Sequence, residues 1–273
     1  MKIMRFLVYC FLLIPLGQSV PAQHNGSPSK SCERRFLVGL NNYEPLVWRE
    51  GGELKGLAHD IITVFKQRTG CQYIELELPR PSALDRLKHD RVDMLVLMVQ
   101  GSEYEMGGHF LPFYNSHREL TVAKSAYVKG KKIEDYIADE KIKFAYMIGS
   151  RTVITEKEEE RLLKSSRLIG TPSPEGAFRL LEEGRVQALL FSSLITSHYL
   201  KKMNMSKKIE RVVDRSHKVP IGLYLSKRRV SKAEKEKFEK IMAEMKKDGS
   251  FLRIFSQYMS PEEAQSRLKD SDF

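Results

Sequence analysis

From residue 34 onward, apolar positions along the chain switch repeatedly between two spacings. Near-continuous apolar runs at 34–40 and 92–99, and a β-rich stretch at 72–78, have the length and composition of buried strands. Between them, Leu57, Ile61, Ile62, Val64 and Phe65 fall on one side of a helix that Gly70 ends. Pro81 opens a second helix, running to about His89, with Leu84 and Leu87 on one face. Strands interleaved with helices predict an α/β fold with a mostly parallel sheet.

After a strand-like stretch at 120–128 the alternation resumes, through pieces at 133–138, 142–148, 155–164, 174–183, 188–191 and 192–201. Ile209–Val213 and Val219–Leu225 read as two short strands, the second able to carry the chain back to the first domain. Ser231 caps a long amphipathic helix to Lys247, with Phe238, Ile241, Met242 and Met245 as its apolar stripe. Asp248-Gly249 breaks it, a helix over 251–258 follows, and the tail at 260–273 is polar, with room for one surface helix. Residues 83–96 and 177–190 have a similar build: a helix, a tight turn, Arg-Val, a polar residue and a buried strand. Two such units suggest two similar lobes.

Residues 1–22 follow a different pattern. Lys2 and Arg5 give a basic start, the stretch from Phe6 to Leu16 is apolar, and Ser19 to Ala22 supply small residues for cleavage. This order predicts a secretory signal peptide. The apolar run of 11 residues falls short of a span, for which roughly 20 are needed. The mature chain is therefore expected to be soluble and periplasmic, with no transmembrane span. Without 1–22, 251 of the 273 residues remain, enough for a core and two domains. Losing Lys2 and Arg5 takes the formal charge from +11 to +9. The basic residues are dispersed, and in 232–247 they alternate with Glu as on a solvated helix face. No nucleic-acid-binding motif accompanies them, so nucleic acid is not an expected partner.

Cys10 lies in the leader, which leaves Cys32 and Cys71. Each directly precedes a predicted strand. If those strands are parallel neighbours a disulfide is geometrically possible; two unpaired thiols are the alternative. The chain has no phosphate-binding loop, dinucleotide fingerprint, His-Glu-x-x-His or nucleophile elbow, and its His residues show no ligand spacing. No metal, cofactor or catalytic residue is expected. Glu103 and Glu105 are the residues on which a cleft hydrolase or lyase would rest, or they are solvated loop carboxylates.

What remains is a cleft lined by loops at strand ends, where open α/β sheets bind ligands. Its candidates from the first lobe are Tyr43 and Trp48, for stacking, and Gln100, Gly101 and Ser102. From the second lobe they are Ser150, Arg151 and Thr152, which with Gly149 form either an anion site at a helix start or an N-cap with a surface Arg, and Ser192.

Several stretches together resemble bacterial periplasmic solute-binding proteins of the polar amino-acid-binding type, family 3. They are Gly52 to Ile61, Leu87 to Val96, Phe110-Leu111-Pro112-Phe113-Tyr114, Pro174 to Leu190, and Met245 to Phe255. The resemblance spans roughly 34–258. It implies a type II periplasmic binding protein-like fold: two lobes with mixed, mostly parallel sheets, joined by two crossing hinge strands, closing on a small polar solute. The implied division is 23–33 as a polar linker, 34–120 with 221–259 as lobe 1, 121–220 as lobe 2, and 260–273 as the tail. It also implies delivery of the solute to an ABC permease; a membrane sensor is the alternative partner. Two family features are missing. The Arg-bearing turn that grips an amino acid's carboxylate is replaced by Gln100 to Gly107, without Arg. The Asp that holds the amino group has no counterpart in Gln187 to Ser193. Arg118 or Arg151 are possible substitutes for the first. The expected ligand is therefore a solute other than a standard amino acid.

Overall fold

The computed structural model describes residues 32–150 and 153–269, without the side chains of residues 102, 103 and 217. The expected signal peptide and most of the linker lie outside the described residues. The chain runs β1 (Arg35–Asn41), β2 (Trp48–Glu50), β3 (Glu53–Lys55), α1 (Leu57–Thr69), β4 (Gln72–Leu78), α2 (Arg80–Lys88), β5 (Met94–Val99), α3 (Ser102–Glu105), β6 (Gly108–Ala123) and α4 (Ile133–Ala138). It continues with β7 (Phe144–Met147), α5 (Glu156–Lys164), β8 (Leu168–Thr171), α6 (Pro174–Glu182), β9 (Ala188–Leu189), α7 (Ser193–Lys202), β10 (Ile209–Ser226), α8 (Lys232–Lys247), α9 (Ser250–Phe255) and α10 (Pro261–Lys269). Eight strands form one mixed sheet in the order β4-β1-β5-β10-β6-β9-β7-β8.

Local sequence explains most helix ends. Gly70 takes φ +68° after α1 and donates its N–H to the Lys66 carbonyl. Thr155 and Ser231 accept from the third backbone N–H of α5 and α8, with Glu158 and Glu234 reaching back. β5 is buried along nearly its whole length between β1 and β10, which is why it reads as an unbroken apolar run.

The repeated unit holds in three dimensions. Asp90 and Gly184 occupy equivalent turn positions and both have positive φ, +53° and +72°. The next residues, Arg91 and Arg185, donate to the carbonyls of Arg86 and Leu180 at 2.7 and 2.9 Å. The polar residue after Arg-Val then ties the neighbouring strand. Asp93 accepts from the Leu37 amide at 2.7 Å, and Gln187 from the Lys143 amide at 3.0 Å.

β1 and β4 are parallel neighbours in register from Arg35↔Gln72 to Asn41↔Leu78, and just before them Cys32 and Cys71 form a disulfide with Cα atoms 4.6 Å apart. The two short strands expected at 209–213 and 219–225 are a single 18-residue strand, β10, and the stretch expected at 120–128 is the end of the 16-residue β6, which stops at Ala123. The two pair antiparallel from Ile209↔Ala123 to Ser226↔Gly108. Pairing skips between Asp214 and Lys218, opposite Arg118 and His117. On one side of that break, α1, α8 and α9 cover a core that includes Phe65, Phe238 and Phe255. On the other, α6 and α7 enclose Phe178, Phe191 and Tyr199, while α4 and α5 cover the opposite face around Phe144 and Leu162. The polar tail forms α10, where Ala264 is buried and Glu263 accepts from Arg211 and Ser197 at 3.1 and 2.8 Å.

Candidate functional site

The two halves of the sheet meet over a cleft whose floor is the C-terminal end of β5 with the facing parts of β6 and β10. Leu97 is the residue of β5 that the pairing with β10 skips, and it holds φ +58°. A branched side chain in the left-handed region is held there by its surroundings, a condition that collects at functional sites. Gly222 lies opposite: a Cβ there would come within 2.2 Å of the Leu111 carbonyl oxygen, so the close crossing of β10 and β6 requires glycine.

An inner cavity of about 70 Å³ sits on this floor. The first half supplies Asn41, Tyr43, Arg80, Leu97 and Tyr114; the second supplies Ser150, Phe191 and Ser192. Tyr43 packs against the apolar cores of both halves. An outer recess of about 460 Å³ shares Tyr43 and Arg80 with it and is walled by Pro79, Pro81, Ile148 and Pro174. A third recess, about 400 Å³, lies toward the crossing strands and includes Gln100, Arg118 and Ser192.

Arg80 was not singled out by the sequence reading. It stands where β4 passes into α2, with its guanidinium 5.5 Å from the centre of the fully buried Tyr104 ring. The signal was Pro79-Arg80-Pro81, a rigid strand-to-helix turn at the end of the sheet where ligands bind. Asn41, the last residue of β1, was missed in the same way. Burial pushes the Tyr43 phenol up, against the lowering pull of Arg80, and pushes Tyr114 up to about 12. Both hydroxyls therefore stay protonated and able to donate at neutral pH.

The sequence candidates separate into groups. Tyr43, Ser150 and Ser192 line the inner cavity, and Ser150 donates its hydroxyl to the Met147 carbonyl at 2.7 Å. Gln100 lines the third recess. Gly101 is tied to Tyr224, donating to its hydroxyl at 3.0 Å, and Ser102 begins α3. Trp48 packs between His198 and Tyr258, at 6.1 and 6.3 Å between ring centres, and lines neither the inner cavity nor the outer recess. Arg118 faces the third recess but is held by Glu158 at 2.7 Å and by Glu134. Burial raises the Glu158 carboxyl, and the hydrogen bonds from Thr155 and Arg118 more than reverse this, leaving it below its ordinary range. Arg151 and Thr152 lie outside the described residues, as does the side chain of Ser102. Glu105 is exposed and lines none of these spaces.

Glu44 crosses the cleft mouth. Its carboxylate binds Lys202 and lies 3.3 Å from the His198 ring nitrogen, both on α7. Among the described residues no cluster of three or more His, Cys, Asp or Glu is placed to hold a metal, and no helix is long and apolar enough to cross a membrane.

A family profile, "Bacterial extracellular solute-binding proteins, family 3", matches residues 37–261. Comparison with curated protein sequences gives no match. Among solved structures, an ancestral cationic amino acid solute-binding protein is 18% identical over 83% of this chain and 96% of its own, with a TM-score of 0.67. A putative binding component of an ABC transporter from Wolinella succinogenes DSM 1740, complexed with lysine, is 16% identical over 83% and 96%, with a TM-score of 0.69. A histidine kinase sensor domain with similarity to periplasmic binding proteins is 17% identical over 84% and 97%, with a TM-score of 0.64. At these identities the likeness is one of fold, a type II periplasmic binding protein-like fold.

Proposed function

Because the chain belongs to the bacterial extracellular solute-binding proteins of family 3, we propose that it captures a small polar solute in the cleft between the two halves of the sheet. The carrying observation is the inner cavity, walled by Asn41, Tyr43 and Arg80 from one half and by Ser150, Phe191 and Ser192 from the other. A site divided in this way is complete only when the halves are together. Residues 34–120 with 221–259 act as one lobe and 121–220 as the other, with motion at the interrupted pairing of β6 and β10.

The work is binding, not catalysis, and it takes place in the periplasm once the leader at 1–22 has been removed. An ABC-type permease receives the solute, in keeping with the transporter component among the structural relatives. The second reading, a solute-dependent partner of a membrane sensor, is favoured by the sensor domain of the same fold.

A thermal-shift screen over amino acids, sugars, polyamines and organic acids tests the proposal. A true ligand raises the melting temperature by mass action, about 2.7 kcal/mol of added stability at a hundred times Kd. No shift with any pool contradicts it. Capture of the permease or of a sensor from membranes, with and without the solute, separates the two partners.

A further inference from the structure

The family profile ends at residue 261, where α10 (Pro261–Lys269) begins. This helix is anchored on the first half. Ala264 is buried in the core that α1, α8 and α9 cover, and Leu268 packs against the same core. Arg267 donates to the Ser116 hydroxyl at 3.4 Å. Ser116 pairs with Val219, on the first-half side of the break between β6 and β10.

The first turn of α10 reaches the second half. Glu263 accepts from Ser197 of α7 at 2.8 Å and from Arg211, beyond the break in β10, at 3.1 Å. Arg211 also donates to Ser197 at 3.3 Å, so the three side chains close one network. Arg267 holds the same Glu263 carboxylate at 2.6 Å. Burial raises the Glu263 carboxyl, and its bonds with Arg211 and Arg267 more than reverse this, which keeps it ionised at neutral pH. Tyr114 stands between this network and the solute site. It lines the inner cavity, packs edge-on against Phe255 at 5.1 Å between ring centres, and feels the charges of Arg267 and Glu263.

We infer that α10 is a strap across the hinge, and that Glu263 is a positioning residue for solute capture: it binds Ser197 when the halves are together and releases it when they part. This rests on the reading that the halves move about the interrupted pairing of β6 and β10. A bond from a helix built into one half to a helix of the other is made in one arrangement of the halves and broken in the other. It therefore biases closure before any solute arrives. Glu44 acts at the cleft mouth; Glu263 acts behind the cavity wall.

Small-angle scattering of the mature chain without solute tests it. Glu263→Ala leaves Arg211 on Glu119 and Arg267 on Ser116, so neither guanidinium loses every partner. It raises the radius of gyration by about 1 Å, on the roughly 18 Å of a compact chain of this length. Ser197→Ala, a change in the second half alone, shifts the radius the same way, and adding it to Glu263→Ala gives no further increase. Glu262→Gln, the same loss of charge on the exposed neighbouring side chain, leaves the wild-type radius. Circular dichroism melting checks that the variants fold, and if Glu263→Ala does not, Ser197→Ala decides. An increase that Glu262→Gln shares, or that Ser197→Ala does not, belongs to the helix itself and overturns the strap. An unchanged radius for Glu263→Ala and Ser197→Ala, while Glu44→Gln raises it, overturns the strap and leaves the moving halves standing. An unchanged radius for all three overturns both.

Discussion

Asp93 is fully buried, with Arg34 at 2.9 Å and Arg229 at 3.1 Å on its carboxylate and the Leu37 amide on the other oxygen. It pins the start of β5 to β1 and to the turn after β10. Asp93→Asn keeps the shape but removes the charge that Arg34 and Arg229 share, leaving Arg34 on Glu234 and Arg229 on the Asp90 carbonyl, and urea unfolding should show a loss of about 1–3 kcal/mol. His198 gives a pH-dependent contribution. Burial lowers its pKa below the ordinary histidine value; Glu44 opposes this, while Lys202 and Lys201 add to it. The folded state therefore prefers the neutral ring. The contribution is complete above the unfolded pKa and is lost as the pH falls through the lower folded one. Between about pH 7 and pH 5, His198→Gln should flatten part of the decline in melting temperature. An unchanged profile contradicts this reading. At the same scale the sequence pointed to Tyr43, Ser150 and Ser192, three residues that line the inner cavity, because they follow or flank recognisable strands. It concealed Arg80 and Asn41, since one arginine among 46 Lys and Arg residues, or a polar residue at a strand end, has no signature until the fold places it.

The longer helices α1, α6 and α8 were legible to within a residue, because their stripes and caps are local, whereas the single-turn α3 was not foreseen and α9 ends three residues earlier than expected. β6 and β10 were not. Arg118 and Glu119 in β6, and the stretch from Arg211 to Lys218 in β10, break any period-2 pattern, since these strands cross between the halves rather than lie in one core. Their polar residues find partners across the pair and on the flanking helices: Arg211 holds Glu119 through two hydrogen bonds, at 2.8 and 2.7 Å, and Arg118 is held by Glu158 and Glu134. The tail read as polar with at most one surface helix; that helix is α10, and its docking was hidden because it works through charge, with Ala264 as its buried apolar residue. Two element-level predictions follow from packing. Gly222→Ala drives a methyl into the β6 backbone and should cost about 1–3 kcal/mol by chemical denaturation. Replacing Cys32 and Cys71 together by Ser opens a loop spanning a sequence separation of 39. The same measurement should show a loss of about 2–4 kcal/mol, matched by reduction of the wild type.

Across the whole molecule, Glu44 ties the halves at the cleft mouth by pairing with Lys202, beside the neutral His198 ring at 3.3 Å, and Glu263 with Arg211 braces the region near the crossing strands. Partly exposed pairs of this kind are individually weak, so a solute that bridges the halves is able to decide their position. Glu44→Gln should raise the radius of gyration in solution scattering when no solute is present, and saturating solute should restore it. The central claim is that both halves hold the solute. Its most direct test is a crystal structure of the mature chain with the solute that most raises its melting temperature. The account predicts that molecule against Arg80 and Asn41 on one side and Ser192 on the other. A solute bound elsewhere, or touching one half alone, contradicts it.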